Sequence, residues 1–172
     1  MVVLSIFFWY YIGRWFEVKS KVYIGALIVF LIDIVSKFLV VNYLVPRKSY
    51  DIIPNFFYLY YVKNDGAAFS LFSGCIVILI ILAIIMLIYI NKKMIKNNMS
   101  KLESFSLSLL IGGISGNLFD RVFRLYVVDF IGFKIFGYNF PIFNIADIAI
   151  CVGTFLFIIS IIRGGKDGNK SK

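Results

Sequence analysis

Asp129 and Asp147 are the residues in this chain whose type and surroundings best suit chemistry. Each stands in an apolar setting, Tyr126-Val127-Val128-Asp129-Phe130-Ile131 and Phe143-Asn144-Ile145-Ala146-Asp147-Ile148, on opposite sides of one connection between two long apolar segments. Two carboxylates held close in low dielectric cannot both ionise readily, so one keeps a proton. The charged member can then take a proton from water while the neutral member hydrogen-bonds a carbonyl under attack. Histidine is absent from the sequence, which excludes Ser-His and Cys-His catalysis and the usual zinc sites. A carboxylate pair needs neither metal nor cofactor.

Blander readings stand beside this one. Asn144-x-x-Asp147 has the spacing of a capping box, with Asn144 as N-cap and Asp147 reaching back from N3. Asp129 could be a solvated loop residue. Asp120 beside Arg121 reads as a structural ion pair, as does Asp33 with Lys37, whose i, i+4 spacing with the acid first lowers the burden of carrying charge into a bilayer. Cys75 and Cys151 lie in apolar runs and read as small buried apolar residues, although the sequence leaves a disulfide open.

The elements that must position these groups follow from composition. Of 172 residues 61% are apolar, well above the roughly 45–50% of soluble domains, and the mean hydropathy is +0.92. In lipid the backbone must close its own hydrogen bonds as helices or a barrel, and runs this long without alternation predict helices. The expected fold class is a mainly α membrane protein, with four transmembrane helices and a small extracytoplasmic β-sheet or hairpin layer. Helices are expected over 24–44, 70–90, 102–123 and 142–162, together one membrane domain over 24–162. Residues 1–23, too short in their apolar part to span roughly 30 Å, read as an interfacial, basic segment, and 163–172 as a basic, disordered tail. Within 46–69, Pro46 breaks the helix, the aromatic run 56–62 favours strand, and Asn64-Asp65-Gly66 signals a turn. The third helix carries Gly112-x-x-x-Gly116, a spacing that lets backbones approach closely in lipid, with Gly113, Asn117 and Arg121 on a neighbouring strip.

The net charge of +9 would suggest nucleic acid in a soluble protein, but here the basic residues fall in loops and act as topology signals. Eleven Lys and Arg lie before the first helix, between the second and third, and after the fourth, against six in the other connections. That bias places both termini in the cytoplasm and gathers Asp33, Asp120, Asp129 and Asp147 towards the outer face. No nucleic-acid partner is expected.

Several blocks together resemble the lipoprotein signal peptidases (signal peptidase II), bacterial membrane aspartyl proteases. They are Asp33-x-x-x-Lys37, Asn64-Asp65-Gly66-Ala67-Ala68-Phe69-Ser70, Gly112-Gly113-x-x-Gly116-Asn117-x-x-Asp120-Arg121, Val127-Val128-Asp129-Phe130 and Phe143-Asn144-x-Ala146-Asp147. The resemblance implies an aspartic endopeptidase of the bacterial cytoplasmic membrane that cuts a lipid-modified prolipoprotein on the amino side of its diacylglyceryl cysteine. It makes Asp129 and Asp147 catalytic. Asn64, Gly66, Asn117, Arg121 and Asn144 would position substrate and dyad, with Asp33, Lys37 and Asp120 in support. The expected partners are the prolipoprotein and membrane lipid, and the chain is expected to act as a monomer. Ile148 departs from the family, where a small polar residue is common.

The chief rival is a small proton-coupled carrier using intramembrane aspartates as a relay, which needs acids spread through the depth of the bilayer. A second is an assembly factor in which the Gly-rich helix packs a partner and the aspartates are structural.

Overall fold

Backbone polar groups inside a bilayer have no water to bond, and the long apolar runs fold accordingly as helices. In the computed structural model, which describes residues 2–44, 48–66, 74–96 and 99–168, helix α1 spans Val2–Tyr43, α2 Ile76–Lys96, α3 Lys101–Arg124 and α4 Ile145–Gly168. Stretches of all four, Lys19–Tyr43, Ile76–Met94, Lys101–Arg124 and Ile145–Arg163, are long and apolar enough to cross a membrane. This is a multi-pass membrane protein. The large apolar side chains left exposed along α1, α2 and α4, such as Leu31, Ile85 and Phe155, face the lipid.

Helix boundaries differ from expectation in three helices, and α2, expected over 70–90, runs Ile76–Lys96. α1 is continuous from Val2, so residues 2–23 of the expected interfacial segment are helical and run into the first span; they contain no proline, and nothing in them stops a helix. α4 likewise runs on to Gly168, into the stretch expected to be disordered. Pro46 and Arg47 of the expected helix break, the Ala67 to Ser70 part of the turn motif and 169–172 lie outside the described residues.

The β-layer is larger than 46–69. Strand β1, Ser49–Ile53, pairs antiparallel with β2, Phe57–Asn64, which pairs with β3, Val127–Ile135, which pairs with the short β4, Tyr138–Asn139. The stretch read as an apolar connection between helices is therefore mostly strand. Its β3 is rich in β-branched and aromatic residues, as strands are. The turn that closes β3 on β4 was hidden because Phe136 occupies it: Phe136 (φ 50°) and Gly137 (φ 79°) form a two-residue turn of the kind usually written Asn-Gly. β1 and β2 lie between α1 and α2, β3 and β4 between α3 and α4. The sheet thus caps one end of the bundle.

α3 is the central helix, which explains why it is the least apolar span. Gly112 and Gly116 face α1, and Gly113 faces α4. A Cβ at Gly112 would stand 2.6 Å from the Ala26 carbonyl oxygen, and one at Gly113 would stand 2.6 Å from that of Ala146. At the sheet end, Phe133 stacks between Phe57 (5.2 Å) and Phe143 (6.0 Å), fastening the β-layer to the approach to α4.

Because the Ala26 obstacle is backbone, Gly112→Ala must push α1 from α3. We expect a loss of about 1–3 kcal/mol, read as a lowered unfolding temperature in detergent; an unchanged temperature would contradict the close contact.

Candidate active site

α4 begins where Asn144 and Asp147 satisfy each other. The Asp147 backbone N–H donates to Asn144 Oδ1 (2.9 Å), and the Asn144 N–H donates to Asp147 Oδ2 (3.1 Å). This is the expected capping box, and it leaves the Asn144 amide nitrogen free to turn towards β3. There Nδ2 donates to Asp129 Oδ1 at 2.6 Å. One residue therefore touches both carboxylates, and the cap holds Asp147 beside Asp129.

The remaining carboxylate oxygens are also met. Asn64 at the end of β2 donates from Nδ2 to Asp129 Oδ2 (2.7 Å), and Asn117 on α3 donates from Nδ2 to Asp147 Oδ1 (2.8 Å). Asn117 Oδ1 accepts from Asn144 Nδ2 (3.2 Å) and from Lys37 Nζ (2.9 Å). All four dyad oxygens thus hold a donor, and four chain segments contribute.

Below the dyad lies a buried ionic cluster. Lys37 Nζ is 2.7 Å from Asp33 Oδ2 and 3.2 Å from Asp120 Oδ2, and all three side chains are fully buried. Asp33 Oδ1 accepts from the Ala146 N–H (2.9 Å), and Asp120 Oδ2 accepts from the Val128 N–H (3.1 Å). Asp120 does not pair with Arg121 as its neighbour suggested; its second cation is Arg124, at 3.3 Å and i, i+4. Successive helix residues point about 100° apart, which is why adjacency misled and the four-residue spacing, present in the sequence, was the better signal. Arg121 instead donates to the Gly66 carbonyl (2.9 Å) and more weakly to that of Asn117 (3.4 Å). Gly66 N–H closes a turn on Asn64 Oδ1 (2.9 Å), so Arg121 holds the loop that presents Asn64 to Asp129.

All ten residues singled out from the sequence meet in this one region. Cys151 differs from expectation: it is free and exposed rather than buried, one turn beyond Asp147 on α4.

The dyad opens into a cavity of about 490 Å³, with Asn64, Asn117, Arg121, Asp129 and Asp147 at its polar end and Ile148, Cys151 and Val152 of α4 along an apolar wall. A second cavity of about 520 Å³, over β1 and β2, contains neither aspartate. Asp129, only 2% exposed, is pushed up to about 7 by its burial and then by the charge of Asp147, against the pull of Asn64, Asn144 and Lys37. A carboxyl that holds its proton near neutral pH, beside a second carboxylate in a cleft, is equipped for acid-base work.

Comparison with known proteins identifies the family. Residues 25–163 match the family described as signal peptidase (SPase) II. The chain is 37% identical over 153 residues to a lipoprotein signal peptidase of Halalkalibacterium halodurans, covering 87% of this chain and 97% of that one. It superposes on a bacterial membrane enzyme solved by the in meso method at 2.3 Å, with TM-score 0.80, 35% identity, and coverage of 86% of this chain and 91% of that one. A second such structure, at 1.9 Å, gives TM-score 0.75 and 36% identity over 83% and 92% of the two chains. The chain belongs to the signal peptidase II family.

Proposed function

We propose that this protease is an aspartic endopeptidase that removes signal peptides from diacylglyceryl-modified prolipoproteins, cutting on the amino side of the lipidated cysteine, with Asp129 as acid and Asp147 as base. The observation that carries the mechanism is Asn144 bonded at once to Asp129 Oδ1 and, through its backbone, to Asp147 Oδ2. The relative named as a lipoprotein signal peptidase supports the substrate class.

Asp147, at the positive end of the α4 dipole, takes a proton from water as the oxygen adds to the scissile carbonyl carbon. Asp129 gives its proton to the carbonyl oxygen, and a neutral gem-diol results. Asp147 then protonates the departing nitrogen as the C–N bond breaks, while Asp129 recovers a proton from the diol and the new carboxylic acid is released. The dyad ends as it began. Low dielectric strengthens each of these transfers.

The apolar α4 wall beside the polar end suits a substrate that is peptide on one side and lipid on the other. With both termini in the cytoplasm, the sheet end of the bundle and the dyad lie towards the outer face of the cytoplasmic membrane. A carrier is not supported: Asp33, Asp120, Asp129 and Asp147 collect around one site, not along a path through the bilayer.

Asp129→Asn and Asp147→Asn are each expected to lower cleavage of a lipidated precursor in detergent by at least about 10³-fold while the chains stay folded; substantial cleavage by either would sink the dyad. An unlipidated precursor should be cut more than about tenfold less efficiently. Burial of acyl chains at about 0.8 kcal/mol per CH₂ readily exceeds the about 1.4 kcal/mol that a tenfold change requires, so equal turnover of both precursors refutes lipid recognition.

Activity needs the proton on Asp129 and should fall as pH rises through about 7. Linkage has the same sign. The folded value lies above the ordinary 3.8, so the stabilisation is complete below 3.8 and is lost as pH climbs through about 7. The unfolding temperature of the wild type should decline over that window, and Asp129→Asn should flatten the decline; an equal slope in both chains would assign it elsewhere.

A further inference from the structure

Asp33 and Asp120 grip the backbone at matching places. Asp33 Oδ1 accepts from the N–H of Ala146, the residue before Asp147, and Asp120 Oδ2 accepts from the N–H of Val128, the residue before Asp129. One ammonium joins the two grips: Lys37 Nζ lies 2.7 Å from Asp33 Oδ2 and 3.2 Å from Asp120 Oδ2. An ammonium has three donors, and the third goes to Asn117 Oδ1 at 2.9 Å.

We infer that Lys37 is the positioning residue of the dyad: by tying Asp33 to Asp120 it sets the separation of the α4 and β3 backbones that carry the two catalytic carboxylates, and by bonding Asn117 Oδ1 it fixes which way that amide faces. The inference rests on the dyad proposed above.

The amide orientation follows from charge. Asn117 Oδ1 already accepts from Lys37 and Asn144, so both its lone pairs are used and Nδ2 is left for Asp147 Oδ1, 2.8 Å away. A flipped amide would set its NH₂ against an ammonium and a second NH₂. It would also turn an oxygen towards the Asp147 carboxylate. Lys37 therefore removes the two-fold ambiguity of an asparagine amide.

A bare ion pair needs none of this. Had Lys37 served only to neutralise Asp33, its charge would not also need Asp120, whose other oxygen has Arg124, nor Asn117. The cluster is shut off from solvent: Asp33, Lys37 and Asp120 are 0% exposed, and Asp33 Oδ2 and Asp120 Oδ1, which accept no hydrogen bond, lie against the cations Lys37 and Arg124. Spacing of reacting groups is where small displacements matter most, since about 1 Å of misplacement from a remote change can remove about 10²-fold in rate.

The test compares Asp33→Asn with Asp33→Asn/Lys37→Met, because the double variant leaves no unpaired buried aspartate at position 33 and Asp120 keeps Arg124. Relative to Asp33→Asn, the double variant should lose about 10²-fold in kcat for a lipidated precursor, with KM within about two-fold and the unfolding temperature nearly unchanged. Wild-type-like kcat relative to Asp33→Asn, or a loss confined to KM, overturns the inference. Should the double variant fail to fold, Lys37→Arg decides. Its planar fork keeps the charge but cannot reproduce three tetrahedrally arranged contacts, so a tenfold or greater fall in kcat in a folded chain supports the spacing role, and undiminished kcat rejects it. Cleavage surviving Asp129→Asn or Asp147→Asn would instead remove the dyad itself, which separates the two failures.

Discussion

A lysine ammonium with no exposure to solvent is the constraint around which the polar groups of the site are arranged. Burying such a charge unpaired is prohibitive, and even a single buried pair gains little over apolar packing. Lys37 is tolerable because it has three partners, ion pairs to Asp33 and Asp120 and a hydrogen bond to Asn117 Oδ1, and each of those partners holds something else. Asp33 holds the start of α4 and Asp120 the start of β3. The same requirement that polar groups in lipid be satisfied therefore builds the site, because the partners available deep in the bundle are the groups that aim the carboxylates.

The cap of α4 illustrates how one device can start a helix and hold two carboxylates. Asn144 and Asp147 are a capping box by spacing and by geometry, and a purely structural account of Asp147 would be complete on that basis. Yet a capping box also fixes the orientation of its N3 carboxylate without using the amide nitrogen of its N-cap. Asn144 Nδ2 reaches Asp129 at 2.6 Å. The device that starts the helix also couples the two carboxylates, so the capping role of Asp147 is compatible with the catalytic role proposed for it.

Much of this was legible in the sequence, for physical reasons that can be named. Hydropathy exposes a lipid-facing helix directly, and Asp33/Lys37 at i, i+4 or Asn144/Asp147 at i, i+3 are local geometry that spacing encodes. Gly112 and Gly116 revealed close packing, though not that α1 is the neighbour while Gly113 meets α4. What stayed hidden was non-local or atypical. β3 pairs with β2 across more than sixty residues of chain, as in Val62 opposite Asp129, and its turn carries Phe136 where a turn former was sought. Asp120 was misread because adjacency to Arg121 is conspicuous, whereas the helix delivers Arg124.

The two carboxylates differ because their supports differ. Asp129 is the third residue of β3, 2% exposed, set between β2, where it pairs with Val62, and the segment that bonds Phe143 to Ile131, at the edge of the cavity. Asp147 lies in the first turn of α4 at the cavity, half-buried, where its own N–H and that of Ala146 are held by Asn144 Oδ1 and Asp33 Oδ1. A strand supplies the enclosed position and a helix end supplies the open one. Joining a strand to a helix N-terminus through one asparagine makes the surroundings of the two carboxylates unequal before any substrate arrives.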